Sequence, residues 1–319
     1  MHRVVSTMYR TRFTILALLV SLAMGCPNHK KAKSQALGPP AMELRKAVSF
    51  PLATAALPGS REELTAALVD GLRKNVKLAE SDEQKTIIAE GDHYPSLRRL
   101  NIDLTNAAID TGHKPAKLQK GETPAPGVHA DEFQFRADPL NIDGGHIHLL
   151  VHARDVSLGV IHDRAGQPIL SLDEARDGEV SCQTTTKDLS TIFRASANER
   201  GKPFGLSVQK AKLDLDSQND REMTANLRLV SRLVIIPIQL HFTAHVQVDN
   251  AGNATLSKLS CEGDDAAGTL ITQFIRPALA QYNNTTMPLV GFPSKKMRLH
   301  DVRVRLDGET VRLAAAFGS

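Results

Sequence analysis

A chain of 319 residues, 41% hydrophobic and 23% charged, has the composition of a globular protein with one large or two ordinary domains. It has no tryptophan and only 4% aromatic residues, which argues against a carbohydrate cleft walled by stacked rings. Three of its 39 basic residues (Arg3, Arg10 and Arg12) precede Cys26, where there is no acid; with them set aside, the bases exceed the 35 acids by only one, and no broad basic footprint for nucleic acid remains.

The first residues read as an export signal: a basic start, then an apolar run from Phe13 to Ala23 that is short for a bilayer span. The run closes on Leu22-Ala23-Met24-Gly25-Cys26, which resembles the lipobox of bacterial lipoproteins, although Ala23 stands where leucine is usual. The resemblance implies a signal peptide over 1–25 and acyl chains on Cys26. It places the protein in the cell envelope, on the periplasmic face of a bacterial membrane, with the outer membrane favoured. An ordinary cleaved signal or an uncleaved anchor is the alternative. Residues 26–45 bear lysine, proline and glycine without apolar periodicity and read as a tether. Its lysines either touch anionic headgroups or only solubilise it.

Over 46–185 the pattern predicts helices, then strands. Ser60-Arg61-Glu62-Glu63 is a capping box followed by Leu64, Leu68, Leu72 and Val76 at helical spacing. A second box at Ser81–Gln84 precedes Ile87 and Ile88. From Ser96 the period falls to two, through Leu100, Ile102 and Leu104, then Phe133 and Phe135, then Ile147, Leu149 and Val151. The loop 113–128 between the first two of these runs reads as a surface excursion or a lid.

Over 186–319 a short helix at Asp188–Ala197 precedes long alternating strands. The first changes parity near Gln209–Lys210, which predicts a bulge. The third carries Ile238, Leu240, Phe242 and Val246 on one face. An amphipathic helix is expected over Asp265–Tyr282, containing Leu270, Ile271, Phe274, Ile275 and Leu279 and kinked at Pro277. Asp307–Gly308 between two alternating runs signals a terminal hairpin. The expected fold class is α+β: a long, curved antiparallel sheet around the C-terminal helix, with short additional helices.

This order is similar to the tubular lipid-binding superfamily and its exported bacterial members, in which a curled sheet and a long helix enclose an apolar tunnel. The segments that carry the likeness are Lys187-Asp188-Leu189-Ser190-Thr191-Ile192-Phe193, the Leu270–Tyr282 helix and Met287-Pro288-Leu289. The likeness is architectural and includes no chemical motif. It implies binding or carriage of a phospholipid or glycolipid, with Ile238, Leu240, Phe242, Val246, Leu270, Ile271, Phe274, Ile275 and Leu279 as lining residues. The same residues would serve equally in a closed core, so a structural or interaction lipoprotein is the alternative.

If Cys26 is acylated, Cys182 and Cys261 remain, and an oxidising compartment favours a disulfide between them; two free thiols are the other possibility. His146, His148 and His152 share one strand face, as do His241 and His245, which raises a metal-dependent hydrolase as a third reading; a solvated strand face explains all five. There is no nucleophile elbow, phosphate loop or dinucleotide fingerprint. The expectation is therefore a non-enzyme without metal or cofactor, whose partners are membrane lipid and a hydrophobic ligand.

Overall fold

The structure is a computed structural model that describes residues 49–74, 76–78, 86–109, 119, 122–202, 205–289 and 297–319. The signal peptide 1–25, Cys26, the tether 26–45, the Ser81–Gln84 box and most of the loop from 113 to 121 lie outside the described residues. Strands make up 61% of those residues and helices 18%, in two sheets and three helices. The expected α+β class is thus corrected: the protein is mostly β, and no sheet wraps around a long C-terminal helix.

The first sheet has nine strands. β1 (Ser49–Pro51), α1 (Arg61–Arg73), β2 (Ile87–Glu90), β3 (Ser96–Asp103) and β4 (Ala108–Ile109) lead into β5 (Ala125–Ile142), β6 (Gly145–His162) and β7 (Pro168–Thr185). The last three are 18 residues each, roughly 60 Å long at the strand rise, and form an antiparallel meander. The turn between β5 and β6 holds Asp143 and Gly144 at φ 49° and 84°, the left-handed conformation that an Asp-Gly pair tolerates. Thr185 caps α2 (Thr186–Gly201) by accepting from the Asp188 N–H.

The second sheet is a five-stranded meander: β8 (Leu206–Asn219), β9 (Glu222–Leu233), β10 (Ile236–Val248), β11 (Asn253–Gly263) and β12 (Thr285–Pro288). The β8–β9 register shifts between Val208 and Lys210, at the parity change seen in the sequence. α3 (Ala266–Ala280) enters between β11 and β12. It is 15 residues long, is capped by Asp265 and contains Pro277. Rather than being clasped, it lies on one face of this sheet. Gly268 is so close to Gly263 and to the Gln239 carbonyl that a Cβ on either glycine would clash with backbone.

β13 (Arg298–Asp307) and β14 (Thr310–Gly318) form the expected hairpin with Gly308 at φ 60°, yet they join the first sheet, where β14 pairs with β7 from Thr310↔Thr185 to Phe317↔Gly178. Strand pairing therefore crosses the division expected at 185/186. One contiguous core cluster includes residues of both sheets and all three helices.

Cys182 stands on β7 of the nine-stranded sheet and Cys261 on β11 of the five-stranded sheet, and no disulfide joins them among the described residues. Counting cysteines carried no information about which sheet each would join.

Candidate functional site

The expected lipid-lining residues divide into three groups. Ile238, Leu240, Phe242 and Val246 share the inner face of β10 and are buried, three of them at 1% exposure and Leu240 at 7%. Leu279 is buried at 2%, while Ile271 and Ile275 are half-buried against the same core. Leu270 and Phe274 are exposed at 57% and 73%. The α-helical turn of about 100° per residue puts Leu270 and Leu279 on opposite sides of α3. The residues facing the sheet are Gly268, Thr272 and Leu279; Ala266, Leu270, Phe274 and Pro277 face outward. Arg276 is the only charged residue in this helix. An outward face without charge is unusual for a surface helix, and no described residue covers it.

A second apolar exposure lies at the end of the sheet where α3 begins. β9 and β10 are joined by Val234 and Ile235, flanked by the Leu233↔Ile236 pair. Val234 is 75% exposed, Ile235 84% and Ile236 51%. Val234 has φ 58°, a left-handed conformation that a β-branched side chain adopts only under strain. Its N–H donates to the Gly205 carbonyl, which ties the tip to the segment after α2. The Asp264 N–H donates to the Gln239 carbonyl, and the Asp265 carboxylate accepts from the Gln239 N–H, so the start of α3 is pinned three residues from the tip. Two local rules fail at one place here, since large apolar groups face water and the turn holds valine rather than glycine or asparagine.

The strand histidines do not converge. His146 Nδ1 lies 3.2 Å from Asp188 Oδ1, which also accepts the His146 N–H at 3.0 Å, and Thr185 Oγ1 donates to the other oxygen at 2.5 Å. Partial burial pushes the Asp188 carboxyl upward, but these hydrogen bonds outweigh it and hold the group below the usual carboxylate range. His148 bonds Asp138, whose pKa is lowered chiefly by that contact. His152 lines a shallow groove of about 290 Å³ on the outer face of the first sheet, together with Glu179, Ser181, Asp301 and Arg303. No group of three or more metal-binding side chains occurs among the described residues.

Cys261, opposite Phe242, is pushed up to about 12 by burial, with Arg276 lowering it and Glu262 raising it less strongly. This thiol stays protonated and inert. No helix among the described residues is long and apolar enough to cross a membrane. No family model, curated protein or solved structure matches this chain.

The tip was legible as an anomaly. Val234-Ile235-Ile236 is a run of three β-branched residues between two alternating segments that must turn somewhere, with no Gly, Asn, Asp or Ser between Leu233 and Gln239.

Proposed function

We propose that this chain works at a membrane surface and contacts lipid through the exposed tip of the β9–β10 hairpin. The single observation carrying the reading is Val234, Ile235 and Ile236 standing in water at the end of a stiff antiparallel pair, on a turn that carries backbone strain. Surface positions of this kind lose free energy by staying wet, and each side chain gains roughly 1.5–3 kcal/mol when fully buried in an apolar phase. An acylated Cys26 would hold the chain beside the bilayer, and the hairpin would then determine how the folded part meets it.

In this reading lipid touches the outside of the protein. Ile238, Phe242 and Val246 serve as core and not as tunnel walls, which their near-complete burial favours. A structural envelope lipoprotein whose tip meets another protein is the competing reading.

The absence of tryptophan makes the test direct. The full-length Ile235→Trp chain is reconstituted in vesicles containing brominated phosphatidylcholine. A blue-shifted emission quenched by bromine is expected. Emission at the wavelength of a water-exposed indole, unaffected by bromine, would reject lipid contact at the tip. Leu150→Trp, on the outer face of the first sheet, is the control that should stay unquenched.

A further inference from the structure

From the charge pattern beneath the tip we infer that the hairpin recognises anionic phospholipid headgroups and docks end-on, with Arg232 and Lys210 at phosphate depth. This inference rests on the reading that the tip contacts lipid.

The register defines the arrangement. On the face of the second sheet opposite α3, Arg232 lies between Ser207 and Pro237, Val230 between Lys210 and Gln239, and Arg228 between Lys212 and His241. Lys210, Lys212, Arg228 and Arg232 are all exposed. Lys212 pairs with Asp214 in the next row, whereas Lys210, Arg228 and Arg232 form no ion pair with a described residue. The acids nearby lie to the side or on the other face: Glu262 is beside His241 at the sheet's flank, Asp264 and Asp265 sit at the start of α3, and Glu199 pairs with Lys202. The rows on β8, β9 and β10 nearest the tip therefore carry cations and no acid.

Depth decides which of these cations count. At about 3.3 Å per residue, Arg232 lies roughly 7–10 Å below the turn, the Lys210 row roughly 13–15 Å and Arg228 about 20 Å. A bilayer has a polar zone of roughly 5–8 Å on each side of its hydrocarbon. If Val234 and Ile235 dip just into hydrocarbon, Arg232 and Lys210 reach the phosphates through their flexible stems. Arg228 then sits about one screening length away and adds a weaker attraction.

Full-length Ile235→Trp chain is reconstituted in brominated phosphatidylcholine vesicles with and without phosphatidylglycerol, at low and high salt. Quenching should rise with phosphatidylglycerol and fall with salt. Adding Lys210→Glu with Arg232→Glu should lower the docked-to-undocked ratio at least fivefold per residue and abolish the lipid preference. Lys210→Arg with Arg232→Lys should keep it. An unchanged melting temperature in the reversal variant excludes misfolding, because neither side chain is buried or paired with a described residue. Equal quenching in both lipid mixtures, untouched by charge reversal, overturns headgroup recognition and leaves tip insertion standing. Absence of quenching in both mixtures overturns tip insertion itself.

Discussion

Val234 shows how one residue can hold free energy that the fold does not need. A β-branched side chain at φ 58° costs on the order of 1–2 kcal/mol, which glycine avoids. Val234→Gly is therefore expected to raise stability by about 1 kcal/mol in denaturant unfolding while weakening membrane contact. Loss of stability would mean that the valine packs against something the exposure values hide. Cys261 allows a pH test. An ordinary thiol ionises near 9, while burial pushes this one up to about 12. Between those values the unfolded chain releases a proton that the folded chain keeps, so stability falls as pH rises above 9 and is unaffected below it. The slope is about 1.4 kcal/mol per pH unit at most. Cys261→Ala should remove that part of the alkaline loss in urea titrations from pH 8 to 11. In native protein Cys261 should resist alkylation, and under non-reducing denaturation both Cys182 and Cys261 should label.

At the scale of the element, α3 separates buried from exposed apolar side chains within 15 residues. Leu279→Ala should cost about 3 kcal/mol by opening a cavity in the core. Phe274→Ser should change stability by no more than about 0.5 kcal/mol, since the ring covers nothing. Thermal melts of the two variants compare the faces directly; equal losses would mean that both are packed. The helix also shows the limit of reading periodicity. Apolar residues surround most of its circumference, so a spacing rule finds a greasy face in several directions. Leu270 and Leu279 belong to one apolar pattern in the sequence, although nine residues place them half a turn apart. The caps were more legible, because a cap is a contact within a few residues: Ser60 accepts from Glu63, and Asp265 accepts from Gly268.

For the whole molecule, the pairing of β14 with β7 ties the C-terminus to a strand more than a hundred residues earlier. Residues 186–319 expressed alone would lack β7 and leave β14 without that partner. We expect that fragment to show no cooperative melt by circular dichroism, and a sharp transition at the temperature of the intact chain would establish an independent domain. The same topology places the β9–β10 tip and the β8–β9 turn at opposite ends of the second sheet. Asp220, in that turn, accepts from Val304 of β13 and pairs with Arg305. One end is thus joined to the first sheet, and the other carries the exposed Val234–Ile236.

By itself the sequence determined what short-range interactions decide. The Asp307–Gly308 hairpin, the bulge near Lys210, the capped start of α1 and the alternating faces of β9 and β10 all follow from conformational preference and spacing within a few residues. Only the tertiary structure decided which surfaces meet. Strand order, the side of α3 that is covered, the placement of Cys182 and Cys261 on different sheets and the exposure of the tip depend on contacts between segments far apart in the chain. The physical reason is that burial is a property of the assembled surface. An isoleucine has the same hydrophobicity at 1% exposure in Ile238 as at 84% in Ile235, and only the packing around each distinguishes core from contact site.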